Sequence, residues 1–149
     1  MSEEPTAPLV QYDLTIPMIA DAELVAARAT EVIAGLIGFP TRAIEQVRLA
    51  VIEACLNACE HSQSPDRRVY LNFISDADKL LIVVRDFGKG FDPMEVRQPD
   101  IHEKIGAINK GGWGLYLIRK LMDEVIFEQA STGTCLRMTK RRIPSETCT

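Results

Sequence analysis

Several common functional classes are set aside by what the chain has little of. It has no basic excess: 17 Lys and Arg stand against 21 Asp and Glu, a net charge of −4, where a general nucleic-acid binder is basic. No apolar run is long enough to span a bilayer, and the N-terminus lacks a basic-then-apolar signal pattern, so a soluble cytoplasmic protein is the expectation. The two histidines, His61 and His102, have no metal-ligand spacing. The four cysteines, Cys55, Cys59, Cys135 and Cys148, form no CxxC pair. The first two lie in an apolar stretch and read as free thiols acting as small hydrophobes, not as a disulfide or metal framework. There is no internal repeat, low-complexity tract or interdomain linker. What is present is apolar content sufficient for one full core in 149 residues.

One predicted helix, Arg42 to His61, organises the rest. Its central run, Leu49 to Cys59, is apolar except for Glu53 and Asn57. These two lie four residues apart, one turn along the same face. With apolar residues all round, most of that helix should be buried. A carboxylate and an amide inside such a wall need partners, because burying them unpaired costs about 1–3 kcal/mol each. The structural explanation is a pair of bonds to backbone in a crossing loop; the functional one is a ligand.

The remaining elements follow from periodicity and turn residues. Residues 1–8 read as a disordered lead-in, 9–143 as a single domain and 144–149 as a tail. Leu9 to Ile16 alternates as a strand, with Val10, Tyr12, Leu14 and Ile16 on one face and Pro17 at its end. Asp21 is placed to cap a helix to about Ile37, with Leu24, Ala27, Val32 and Leu36 among its apolar positions, and Gly38 closes it. Thr41 is placed as the N-cap of the main helix. Arg67 to Ile74 and Leu80 to Arg85 read as a hairpin around Asp76–Asp78, the second strand apolar enough to be central. Asp92 to Asn109 is a long lid-like loop. Gly111 to Gly114 opens a helix to about Asp123, with Leu115, Ile118, Leu121 and Met122 towards the core. Glu124 to Gln129 and Thr134 to Lys140 are the last two strands, joined through Gly133. This order predicts an α/β (α+β) two-layer sandwich: a mixed, mostly antiparallel sheet with helices on one face.

Three features converge on chemistry: Glu53 with Asn57, Asp86-Phe-Gly88-Lys-Gly90 directly after the apolar strand, and Gly111-Gly112-Trp113-Gly114 directly before a helix. An Asp at a strand end followed by glycines offers a fixed acceptor beside backbone that a flat ring can approach, and an adenine amino group is a suitable donor to it. A glycine-rich turn opening a helix presents free amides to phosphate, favoured by the helix dipole. Lys104 and Lys110 lead into that turn. Each feature alone is often only a turn. No GK[ST] follows, so this is no Walker A loop, and the glycine spacing is wrong for a dinucleotide fingerprint.

In this order and spacing the motifs resemble the GHKL (Bergerat-fold) ATPase superfamily. The stretches are Glu53-xxx-Asn57 continuing to His61, Asp86-x-Gly88-x-Gly90, and Gly112-x-Gly114-Leu115. Within it the chain is most similar to the bacterial anti-sigma-factor serine/threonine kinases of partner-switching systems, through Asn57-Ala-xx-His61 and the stretch from Gly114 to Val125. The resemblance implies ATP and Mg²⁺ as cofactors. It implies Glu53 as the general base taking a serine proton, Asn57 as the Mg²⁺ ligand, and Asp86 as the adenine acceptor assisted by Thr134. Gly88 and Gly90 would make room for the base. Residues Lys104 to Gly114, with Lys110, Gly112 and Trp113 among them, would form the lid and phosphate cradle, ending at Leu115. The subfamily often carries Arg two residues before the second glycine box; Lys110 stands there and supplies charge without the bidentate fork. His61 reads as a capping or supporting residue at the helix end. The partners implied are a sigma factor and a STAS-domain antagonist, and the state implied is a homodimer, with no nucleic acid and no membrane. The rival readings are a switch kinase acting on STAS scaffold proteins without a sigma factor, a nucleotide-gated binding module without transfer activity, and a non-catalytic domain whose glycines are only turns.

Overall fold

The structure is a computed structural model and describes residues 9–61, 64–88, 111–130 and 132–142. Within them the order is β1 (Val10–Pro17), α1 (Ala22–Ile37), α2 (Thr41–His61), β2 (Arg68–Ser75), β3 (Lys79–Asp86), α3 (Gly111–Leu121), β4 (Glu124–Ala130) and β5 (Gly133–Arg141). The strands form one five-stranded sheet in the order β1-β2-β3-β5-β4, and every pairing is antiparallel. The expected sheet was mixed; the described one is antiparallel throughout, because β2–β3 and β4–β5 are hairpins and α3 returns the chain to the far side of β5. β3 is central, as its apolar run requires.

Strand alternation sorts the sheet into two faces. Val69, Leu71 and Phe73 pair across to Val84, Ile82 and their neighbours, and all are buried against the helices. The helices form a single layer, with α2 between α1 and α3. Val47, Ala50, Val51, Ala54 and Cys55 bury α2 completely on its inner side, while Leu49 stays 38% exposed.

The helix ends refine the sequence expectations. Gly38 closes α1 in the left-handed conformation (φ 102°), its N–H donating to the carbonyls of Ala34 and Gly35. Asp21 stands at the start of α1 but makes no side-chain cap; its own backbone is left-handed (φ 70°), and its carbonyl accepts from Leu24 N instead. α2 begins at Thr41 itself, with Pro40 O accepting from Ile44 N, so Thr41 is inside the helix, not its cap. On α1 the buried face is small: Ala22, Ala26, Ala27, Thr30, Ile33 and Ala34. Leu24, Val32 and Leu36 are 55%, 56% and 71% exposed. Alanines let α1 lie close on α2, and that closeness leaves the larger side chains outside.

Candidate functional site

α2 carries Glu53 and Asn57 on one face, one turn apart. Glu53 is half-buried, and burial first, then the charge of Glu60, raises its carboxyl above the usual glutamate range. Asn57 is only 7% exposed, and its Nδ2 has no hydrogen-bond partner among the described residues. An amide left bare in a packed interior costs about 1–3 kcal/mol, which a native fold accepts where a ligand completes the bonding.

The reason Asn57 is enclosed lies on α3. A Cβ on Gly114 would stand 2.7 Å from Asn57 Oδ1 and 2.9 Å from its Nδ2. Gly114 therefore lets the first turn of α3 close onto the amide. Gly111, Gly112 and Trp113 occupy that same turn, where four backbone N–H groups lack intrahelical partners. A buried donor and a helix N-terminus thus meet at one point, an arrangement that favours an anion. Leu115 packs into the core at 4% exposure, so its side chain serves packing.

Asp86 ends β3 on the same side of the sheet as Val84, facing the helices. It is 2% exposed. Thr134 Oγ1 donates to its Oδ2 at 2.6 Å, and Gly88 N donates to its Oδ1 at 3.0 Å. The register explains the first bond, since Asp86 and Thr134 are paired residues of β3 and β5. The carboxylate is oriented and still has acceptor capacity for an incoming donor. α2 reaches this end of the sheet: the thiol of Cys59, two residues past Asn57, is raised by burial and, among lesser causes, by the charge of Asp86.

A role for Mg²⁺ can be tested on the donor set. Among the described residues no three His, Cys, Asp or Glu side chains gather as a metal site. Mg²⁺ commonly takes one or two protein oxygens and completes its shell with phosphates and water. Asn57 Oδ1, at the N-terminus of a phosphate-favouring helix, fits that pattern. Gly90, Lys104 and Lys110, with the expected lead-in, lid and tail carrying Cys148, lie outside the described residues.

Two features escaped the sequence reading. Gly133, at φ 152°, would place a Cβ 2.0 Å from Asp86 O, so the β4–β5 turn needs glycine to bring Thr134 onto Asp86. The Thr132-Gly133 pair signalled a turn but not this contact. The second is a knot beside the motif. Asp66 accepts from Ser64 Oγ, from Arg68 N at 3.2 Å and from Tyr70 OH at 2.5 Å. The Tyr70 ring in turn meets Phe87 edge-on, 5.2 Å between centroids. It ties the entry of β2 to the residue between Asp86 and Gly88.

Known proteins are similar to this chain in sequence and in fold. The histidine kinase-like ATPase domain family matches residues 18–140. A serine-protein kinase RsbW from Halalkalibacterium halodurans is 33% identical over 132 residues, covering 86% of this chain and 81% of that protein. The serine-protein kinase RsbW of Bacillus subtilis is 35% identical over 115 residues, covering 72% and 71% respectively. The solved RsbU and RsbW domains of a Mycobacterium tuberculosis protein superimpose with a TM-score of 0.68 at 17% identity, over 94% of this chain and 35% of that one, a likeness of fold. No described helix is long and apolar enough to cross a membrane. By sequence and fold the chain belongs to the histidine kinase-like ATPase family, among its RsbW-type serine-protein kinases.

Proposed function

We propose that this protein serine kinase transfers the γ-phosphoryl group of ATP to a serine of a STAS-domain antagonist and holds a sigma factor inactive until that antagonist displaces it. The observation that carries the site is the buried amide of Asn57, unpartnered among the described residues, against Gly114 at the start of α3, one turn from Glu53.

Bound ATP with Mg²⁺ supplies the transferable group and offsets its charge. Asp86, fixed by Thr134 and Gly88, accepts from the adenine amino group and sets the nucleotide's orientation. Asn57 would hold the metal through Oδ1, leaving its N–H2 to donate to an anionic oxygen. The α3 N-terminus holds the phosphates. Glu53, its basicity raised by burial, takes the proton from the serine hydroxyl as that oxygen attacks phosphorus. Gly90, Lys104, Lys110, Gly112 and Trp113 belong to the cradle in this reading.

The homodimer is supported by an uncovered apolar edge. β1 pairs only with β2, so its other edge is free among the described residues. Beside it Ile19, Val25, Val32 and Leu36 are 65%, 56%, 56% and 71% exposed. An edge strand flanked by an apolar stripe suits a two-fold contact with a second copy.

The test is to incubate the chain with candidate STAS proteins, ATP and Mg²⁺, and read phosphoserine by mass spectrometry. One singly phosphorylated STAS protein is expected, together with capture of a sigma factor by the kinase. Phosphorylation without sigma capture would replace the anti-sigma reading with that of a switch kinase. ATP binding without phosphoserine on any candidate would reduce the chain to a nucleotide-gated binding module.

A further inference from the structure

We propose that the helix-free face of the sheet, centred on a depression between Arg85, Phe87 and Arg137, docks an acidic segment of a protein partner. The depression measures about 410 Å³, is also lined by Glu128 and Cys135, and reaches the strand ends at Asp86 and Thr134. Register places Arg85, Arg137, Glu128 and Cys135 on the side away from the helices. Arg85 pairs with Cys135, which pairs with Glu128, while inward-facing Asp86 pairs with Thr134. All three helices lie in the opposite layer, so no described element packs on this face.

Charge argues for the occupant. Outward positions along the strands carry five cations, Arg68, Lys79, Arg85, Arg137 and Arg141, against three carboxylates, Asp13, Glu124 and Glu128. The whole chain is −4, so this face opposes the sign of the molecule. Arg85 has no hydrogen bond or ion pair among the described residues. Arg137 has one exposed pair, 3.4 Å to Glu128, of the weak surface kind. Two guanidinium groups are thereby left to take carboxylates in bidentate fashion.

The apolar part of the face favours protein over nucleic acid. Phe87 is 47% exposed and braced by Tyr70. Ile126 is 49% exposed and shares the Arg137 row with Val83. Arginine mixed with aromatic and aliphatic side chains is the composition of a protein interface. A segment docked here would lie beside the strand ends that carry Asp86 and Thr134. The proposal rests on the sheet face and does not depend on the role of Glu53.

The experiment uses the full chain and a fluorescent peptide of alternating Glu, Leu and Phe, read by anisotropy. Arg85→Glu/Arg137→Glu is expected to weaken binding about tenfold or more, with the wild-type affinity falling as salt rises. ATP affinity of this variant should equal that of wild type, which also reports a native fold. If it does not fold, Arg85→Gln/Arg137→Gln takes its place. Arg28→Glu/Arg119→Glu makes the same charge change on the helix layer and should leave the peptide affinity within about twofold. The proposal is overturned by no binding to wild type, or by equal loss in both double variants. It is also overturned if a charge-matched oligonucleotide competes as well as the peptide, if binding appears only after deletion of residues 143–149, or if Arg85→Glu/Arg137→Glu changes the oligomeric state instead of the peptide affinity.

Discussion

In the proposed mechanism three side chains set the chemistry, and each is tuned by something other than its own identity. Asp86 is an oriented acceptor because Thr134 and Gly88 fix it. Asn57 is a buried donor because Gly114 has no side chain. Glu53 is a stronger base than an exposed glutamate because burial, and then the Glu60 charge, raise its pKa. A base works ionised, so the transfer rate should fall as pH drops through the raised pKa of Glu53. Glu60→Gln removes one of the two causes and lowers that pKa. The acid limb of the single-turnover rate should therefore move to lower pH in Glu60→Gln, with the plateau rate little changed. An unmoved limb would mean that another group titrates. At this scale the sequence was informative where polarity broke a pattern: Glu53 and Asn57 stand out inside an apolar run. It was silent on Gly133, since a glycine in a turn is common and its contact with Asp86 O is made across strands.

α3 is the element on which the site depends, and it is held at both ends. At its start Gly114 meets Asn57. At its finish Lys140 Nζ donates to Leu121 O at 2.7 Å, where a cation also meets the negative end of the helix dipole. Asp123 N donates to Thr139 O, and the Asp123 carboxylate accepts from Arg141 N. Lys140→Met removes the side-chain tie. It should cost about 1 kcal/mol, a Tm fall of about 2–4 °C for a domain of this size. No change in Tm would show that the backbone ties suffice. Gly114→Ala acts on the other end. Alanine gains about 1 kcal/mol of helix propensity, while its Cβ forces α3 and Asn57 apart at a cost of about 1–3 kcal/mol. Global stability should therefore change little while ATP affinity, read by calorimetry, falls about tenfold or more. Retained affinity would argue that Asn57 is no ligand. Element existence was legible from periodicity, and the strands fell within about one residue of their predicted ends. The exposed side of α1 was not legible, because hydropathy ranks Leu and Val above the alanines that close approach selects.

At the scale of the whole molecule the described residues present three surfaces: the side between sheet and helices proposed for the nucleotide, the helix-free face, and the edge formed by β1 with α1. The layered architecture followed from element order alone, because hairpins and a single helix layer leave few alternatives. What the pattern of one chain does not encode is which surface a second chain covers. Val32→Glu/Leu36→Glu places two charges on the exposed stripe of α1. Sedimentation should show a dimer for the wild type and a monomer for this variant, with ATP affinity retained. A wild-type chain that stays monomeric at high concentration would remove the dimer.

The central claim is that the chain is built to transfer phosphate and not only to bind nucleotide. Glu53→Gln tests it most directly, because the amide keeps the shape and loses the base. Single-turnover transfer to the phosphorylated partner should fall by about 10²–10⁴-fold, while ATP affinity by calorimetry stays within about threefold of wild type. Equal losses in transfer and in binding would contradict the account and make Glu53 a structural support of the nucleotide pocket.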